Sequence, residues 1–596
     1  MKSSMQGLRR ILASLALALV CACAAFSQAG DRTIIGTVTD AGQPFDATHA
    51  GPQIRMGSGE KDLARYRQYG YNAAELGTFT GLATFEKAAP GALQPGSALR
   101  SAIDRSRRKA REEMREAKEL GLAPCYNTDE ILLPTAVLES LGKRITLDND
   151  PKRIDLNKDA FWDLYREKYR EVLRDFPEIA YVQVRTGENY SFLTDGYTGQ
   201  LIAEETSATQ RSDTYIRNMQ RLINETRKVV VDEFGRKLIW RTWDLGAHGF
   251  HANPAVYDRI VAGIPNRKGL ILSVKFTRGD FWSYMEFNPT VGRDGVDQII
   301  EFQCAREYEG KGAYPNYLGE VHAEALRRAR ALGAKGVSIW DFGGGWGGPF
   351  LKSDRWVRLN IEATAKLAEN PDLSPRELAE EWAAKEFGKQ AAPRVADMLM
   401  LSAGCVRQFL YIAPYARQHQ GWLSSGNLTR DDIIRGQKVI RGHDGLRSMY
   451  EETRNDLNEV LEEKSRAMAL ASRMRVMFES ARNAIVAERG EQVYNDALGT
   501  LRYMESLAIV MSRYVRGMYL YYTWQDTKDP ERASQARTEL LAWKEEWQLY
   551  RTEIPKLGGA ASLYRSANDQ PKAEDKQDAM EDTCEKALSV LASLNR

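Results

Sequence analysis

The sequence predicts an α/β chain: a (β/α)8 TIM barrel over residues 30–350, followed by an all-α C-terminal helical domain over 351–596. Three observations predict it. Short β-rich apolar runs alternate with amphipathic helices from Thr33 to about Gly348, the signature of a parallel sheet wound into a barrel. Several runs end in a carboxylate beside a polar, glycine-containing loop, where barrel enzymes keep their chemistry. After Phe350 the strand signals stop and helical periodicity continues to the end.

Residues 1–29 carry Lys2, Arg9 and Arg10 ahead of an apolar stretch and then Ser27-Gln28-Ala29, the layout of a secretory signal peptide, so a secreted or periplasmic protein is expected. Cys23, in Val20-Cys21-Ala22-Cys23, offers a competing lipid anchor at the cell envelope. No transmembrane segment is expected in the mature chain. The eight strand candidates are 33–40, 72–79, 122–127, 179–185, 237–244, 269–276, 297–305 and 336–342. A representative helix is 213–234, where Ile216, Met219, Ile223, Val230 and Phe234 share one face and Gly235 marks the stop. Further on, Ser374-Pro375-Arg376-Glu377 reads as N-cap, first helical position and capping box, and 434–463 and 493–524 read as bundle helices.

Composition excludes little but excludes it usefully. The chain is 43% hydrophobic and 28% charged, with 83 basic and 81 acidic residues, a balance that argues against a polyanion-coating protein. The basic run Arg105 to Arg111 keeps helical spacing and is followed by Glu112, Glu113 and Glu116, so it reads as a solvated helix face, and no nucleic acid is expected. Cys125, Cys304, Cys405 and Cys584 are too scattered for a disulfide scaffold or a metal motif. His248 and His251 share a loop without an acid or thiol at ligand spacing, so no metal and no cofactor are expected. The oligomeric state stays open, a homodimer included.

The chemistry must come from the strand ends. Glu188, Asp280 and Glu307 are the candidate acids, because glycosidic cleavage needs a protonated acid at the leaving oxygen and a second carboxylate as nucleophile or as the base for water. Arg185, Arg241 and Lys275 stand on strands where buried positions are normally apolar. They either pair with the acids in an ion network or hold an anionic substrate group. Tyr190, Trp243, Trp282, Tyr284, Trp340 and Trp346 cluster at the same ends, Trp340 and Trp346 flanking Asp341 and a glycine run, and read as platforms for sugar faces.

At these residues the chain resembles the α-glucuronidases of glycoside hydrolase family 67. Lys275 precedes Asp280 as the lysine precedes the aspartate in that family's Lys-Asn-Gly-Pro-Ile-Asp, and Glu301-Phe-Gln-Cys-Ala-Arg-Glu307-Tyr308 is similar to its Glu-Leu/Phe-Gln-Ile-Thr-Gln-Glu-Tyr. Arg185-Thr-Gly-Glu188 stands where the family has Lys-Ala-Asn-Ser-Glu, one residue longer. The resemblance implies Glu188 as acid, Asp280 and Glu307 as the pair activating water with inversion, and Arg185, Arg241 and Lys275 as clamp for the uronate of a xylan-derived oligosaccharide. The family's N-terminal domain is not expected here, because the strand pattern begins close behind the leader; its Asn-Gly-Pro gives way to Phe276-Thr-Arg278-Gly279, and the resemblance covers roughly residues 120–390. The alternatives are an exo-glycosidase on another acidic glycan and a non-catalytic secreted carbohydrate-binding barrel.

Overall fold

The computed structural model describes residues 33–37, 63–187, 196–200, 202, 212–244, 249–293, 295–306, 308–310, 312–340, 355–419, 443–557 and 579–594. Eight parallel strands close into a barrel in sequence order: β1 (Thr33–Thr37), β2 (Ala73–Thr78), β3 (Ala123–Asp129), β4 (Tyr181–Arg185), β5 (Lys237–Arg241), β6 (Leu270–Lys275), β7 (Asp297–Gln303) and β8 (Gly336–Trp340). Closure runs through β1, whose Thr33 to Thr37 pair with Gly336 to Trp340 on one side while Ile35 and Gly36 pair with Ala73 and Ala74 on the other. Every strand expected from the sequence is present, most of them shorter than expected. The exception matters: β3 runs two residues further and ends on Asp129.

Helices α1 (Leu63–Gln68), α2 (Ala98–Glu119), α3 (Asp159–Asp175), α4 (Asp213–Arg227), α5 (Pro254–Ala262), α6 (Gly319–Ala331) and α7 (Arg355–Glu369) follow the strands in turn. Only the connection from β6 to β7 lacks one among the described residues. In α2, Ile103, Ala110, Met114 and Ala117 are buried, while Arg107 and Arg111 lie 4.9 and 4.8 Å over the Phe176 ring. Long basic side chains thus cover apolar surface with their stems. The expected helix at 213–234 begins as α4 under the Ser212 cap, but its last turns, Lys228–Glu233, widen into a π-helix before Gly235 turns the chain at φ +65°.

Beyond α7 the described chain is helical, with α8 (Pro375–Phe387), α9 (Ala392–Leu410), α10 (Leu457–Glu479), α11 (Glu491–Thr527) and α12 (Pro530–Thr552) the main elements. The Ser374 hydroxyl accepts from the Glu377 amide at 3.3 Å and Pro375 opens α8, as its sequence requires. The segment expected as one helix at 434–463 is described from 443 onward as His443–Thr453 and α10, separated by a short 3-10 turn at Arg454–Asp456. Helix α11 packs on both α10 and α12, and Trp356 of α7 donates to Thr500 of α11 at 3.0 Å. No described helix is long and apolar enough to cross a membrane.

Inside the barrel, every second residue of a strand points inward. Ala73, Cys125, Tyr181, Ile239, Ile271 and Ile299 form a separate apolar cluster near the strand starts. All four described cysteines are buried thiols outside any disulfide, Cys125 in that cluster. Two residues further along the same strands stand Glu75, Asn127, Gln183, Arg241, Ser273 and Glu301. A barrel floor of hydrocarbon therefore gives way to polar groups within one step.

Candidate active site

Arg241 ends β5 and reaches past β6 to Glu301 in mid-β7. Its Nε and Nη2 each donate at 2.8 Å to one oxygen of that carboxylate, a bidentate pair. Ser273 donates to Glu301 Oε1 at 2.8 Å and Trp340 Nε1 to Oε2 at 3.2 Å. The Arg241 guanidinium also lies 4.2 Å over the Trp340 ring. Burial alone would raise the Glu301 carboxyl, but Arg241, Lys275 and Ser273 outweigh it and pull it down to about 2.

Lys275 ends β6 and donates to Asp280 Oδ1 at 2.7 Å, its ammonium 3.4 Å above the Trp243 ring. Tyr308 donates to Asp280 Oδ2 at 2.9 Å and the Phe281 amide to Oδ1 at 3.0 Å. Burial opposes ionisation here as well, yet the Lys275 charge and these donors hold the Asp280 carboxyl below the usual range. The same pattern recurs at the end of β4, where Arg185 Nε and Nη2 grip Asp129 at 2.6 and 2.8 Å. All three strand-end cations are therefore ion-paired, two of them to acids that sequence reasoning had not singled out.

Behind Asp129 lies a fully buried pair, Glu130 and Lys168, to which Tyr169 adds a hydroxyl donor at 2.5 Å. Burial raises the Glu130 carboxyl and lowers the Lys168 amine, both shifts favouring the uncharged forms. Deeper in the barrel, Glu75 on β2 accepts from Asn127 and, at 2.8 Å, from Gln183.

Glu188, Tyr190, Glu307, Asp341 and Trp346 lie outside the described residues. Gly187, which precedes Glu188, is described. A Cβ on Gly187 would collide with the Trp243 carbonyl and stand 2.6 Å from Asp244 Cα, so only glycine lets the residue before Glu188 lie against the end of β5. Trp243, Trp282 and Trp340 are buried at 3%, 2% and 8% exposure; Trp243 lies under Lys275 and Trp340 under Arg241, while Trp282 packs on Tyr308. His251 is held by Thr242 and the Thr277 carbonyl at 3.0 and 3.1 Å, and burial beside Lys275 lowers it to about 3. Among the described residues no three His, Cys, Asp or Glu side chains converge as a metal site would require.

Spare donors remain beside Glu301. Among the described residues Arg241 Nη1 and two of the Lys275 ammonium protons have no hydrogen-bond partner. Taking up an oxygen atom at these donors would break neither ion pair.

No protein-family model and no curated protein matches the chain. Among solved structures it is similar to a GH138 enzyme targeting pectin rhamnogalacturonan II, with a TM-score of 0.63 and 11% identity over 95% of this chain and 84% of that one. A GH115 4-O-methyl-α-glucuronidase with specificity for decorated arabinogalactans matches at a TM-score of 0.45 and 12% identity over 91% of this chain and 61% of that one. The first likeness shows the fold, a parallel barrel joined to helices as in a glycoside hydrolase; the second is too distant to argue from. None of these likenesses shows family 67, whose resemblance rests on the strand-end motifs alone.

Proposed function

We propose that the chain is a glycoside hydrolase that removes a terminal uronic acid from an acidic glycan at the C-terminal mouth of its barrel. The observation that carries this reading is Asp280, held ionised by Lys275, Tyr308 and a backbone amide beside the spare donors of Arg241 and Lys275. A base for water must be charged at working pH, which the Asp280 environment favours. A substrate carboxylate would meet Arg241 Nη1 and the Lys275 ammonium while Glu301 keeps the guanidinium fork in place. Glu188 is assigned the acid and Glu307 the partner of Asp280, giving inversion when the acids stand far enough apart to admit a water. The leader at residues 1–29 suits export to the compartment where such glycans are met.

The test is proton NMR of the mature protein with two acidic substrates, a terminally glucuronosylated xylo-oligosaccharide and fragments of pectin rhamnogalacturonan II, each beside a neutral oligosaccharide. The expected result is free uronic acid from at least one acidic substrate, its first anomer opposite in configuration to the bond broken. Release of neutral sugar alone would defeat the uronide reading, and an initial anomer of retained configuration would defeat the water-activating role of Asp280.

A further inference from the structure

The loops that follow β6 and β7 are tied together by a residue from the helical region. Tyr411, fully buried just past α9, donates to Glu309 Oε1 at 2.5 Å and accepts from the Ser283 amide at 3.0 Å. Ser283 lies three residues after Asp280 and also donates to Glu309 Oε1, at 2.7 Å. Glu309 spends its other oxygen on Arg306, whose Nε and Nη2 reach it at 2.9 and 2.6 Å. Arg306 and Tyr308 flank Glu307. The first has φ +54°, a left-handed conformation that a non-glycine residue holds only when its surroundings fix it. Tyr308 in turn donates to Asp280 and packs on Trp282 at 4.6 Å between ring centres.

Tyr411 is itself fixed from behind. The buried Lys464 ammonium of α10 donates to the Gln408 and Tyr411 carbonyls, capping the C-terminal end of α9 with positive charge. Its neighbour Glu463 accepts from the Ala413 amide at 3.2 Å. The Tyr411 ring also meets Tyr284 edge to face, 5.6 Å between ring centres, a residue likewise in the left-handed region at φ +68°. A continuous chain of contacts thus runs from α10 through Tyr411 to both strand-end loops.

We propose that Tyr411 is a positioning residue, through which the helical region holds the Asp280 loop and the 306–310 loop in register. The inference rests on the proposed assignment of the acids, but the brace can be tested without it. Two residues in contact with one hydroxyl cannot drift apart independently, and a misplacement of about 1 Å at reacting groups costs up to ~10²-fold in rate. The hydroxyl of Tyr411, not its ring, joins the direct Ser283–Glu309 hydrogen bond and ties both loops to the helical region.

The experiment compares the full-length chain with Tyr411→Phe, with Glu309→Gln, which keeps the shape but drops the charge facing Arg306, and with Tyr519→Phe. The last removes an equally buried hydroxyl, bonded to Thr453 at 3.0 Å far along α11. Hydrogen exchange read on peptides covering 281–285 and 306–310 should quicken in both loops for Tyr411→Phe and Glu309→Gln, and stay at the wild-type rate for Tyr519→Phe. With a cleaved substrate in hand, Tyr411→Phe should lose about tenfold in kcat with KM within about twofold. Wild-type exchange in Tyr411→Phe, or equal loosening in Tyr519→Phe, would overturn the proposal. A wild-type protein that cleaves nothing would defeat the functional reading alone, because the exchange comparison still decides the brace.

Discussion

The two ends of the barrel interior are built from the same strands and differ in almost everything else. Near the strand starts, Ile239, Ile271 and Ile299 meet Ala73, Cys125 and Tyr181 in an apolar layer. One inward position later, Arg241, Ser273 and Glu301 form a hydrogen-bonded unit, and at the strand ends Arg185 and Lys275 hold Asp129 and Asp280. The floor shows how the barrel closes, and the mouth shows what closure makes room for. Buried charges are costly unless each finds a partner, and here the partners come from the adjacent strand, the next strand but one, or the loop that follows the same strand.

That contrast can be broken in four places. The largest effect is expected from Asp280→Asn, which keeps the shape and removes the charge: kcat should fall roughly 10³-fold while the fold persists, read by steady-state kinetics beside circular dichroism. Next, Arg241→Ala strands Glu301 without its fork and should cost about 3–5 kcal/mol in chemical denaturation, much of it recovered by adding Glu301→Gln. Third is pH. Because the Glu301 carboxyl is depressed from 4.5 to about 2, its stabilisation is complete above about pH 4.5 and is lost as pH falls toward 2. The full swing is roughly 3 kcal/mol, and Glu301→Gln should flatten the denaturation midpoint across that window. The smallest belongs to the floor, where Ile299→Val should cost about 1 kcal/mol and leave kcat alone. An equal loss of kcat there would erase the distinction between the two ends.

The strands were legible because alternation between β-rich runs and helices is carried by local sequence, and so were the Ser374 cap and the Gly235 stop. The cations were legible for a related reason: Arg241 and Lys275 interrupt apolar strands. Their partners were harder. Glu301 sits two residues from Ile299 and two from Gln303, so its inward direction could be read from the period of two, but which cation it would face depends on the stagger of the closed barrel. Asp129 was missed because β3 was ended two residues early. Glu309 and Tyr411 gave no local signal, since their link spans 102 residues and exists only after the helices dock. The tryptophans were read as sugar platforms on composition, whereas Trp243 and Trp340 lie under Lys275 and Arg241, where a ring face is itself a partner for positive charge.

The four buried thiols amount to a set of built-in stopwatches. Cys125 sits in the barrel floor, Cys304 just past β7, Cys405 inside α9 and Cys584 in the helix Ala579–Ser593. Burial pushes the thiols of Cys125, Cys405 and Cys584 up, so each stays unreactive until its own surroundings open. Pulsed alkylation followed by peptide mapping would time those openings separately. It would tell whether the barrel and the helices come apart together or one after the other, with no label to engineer.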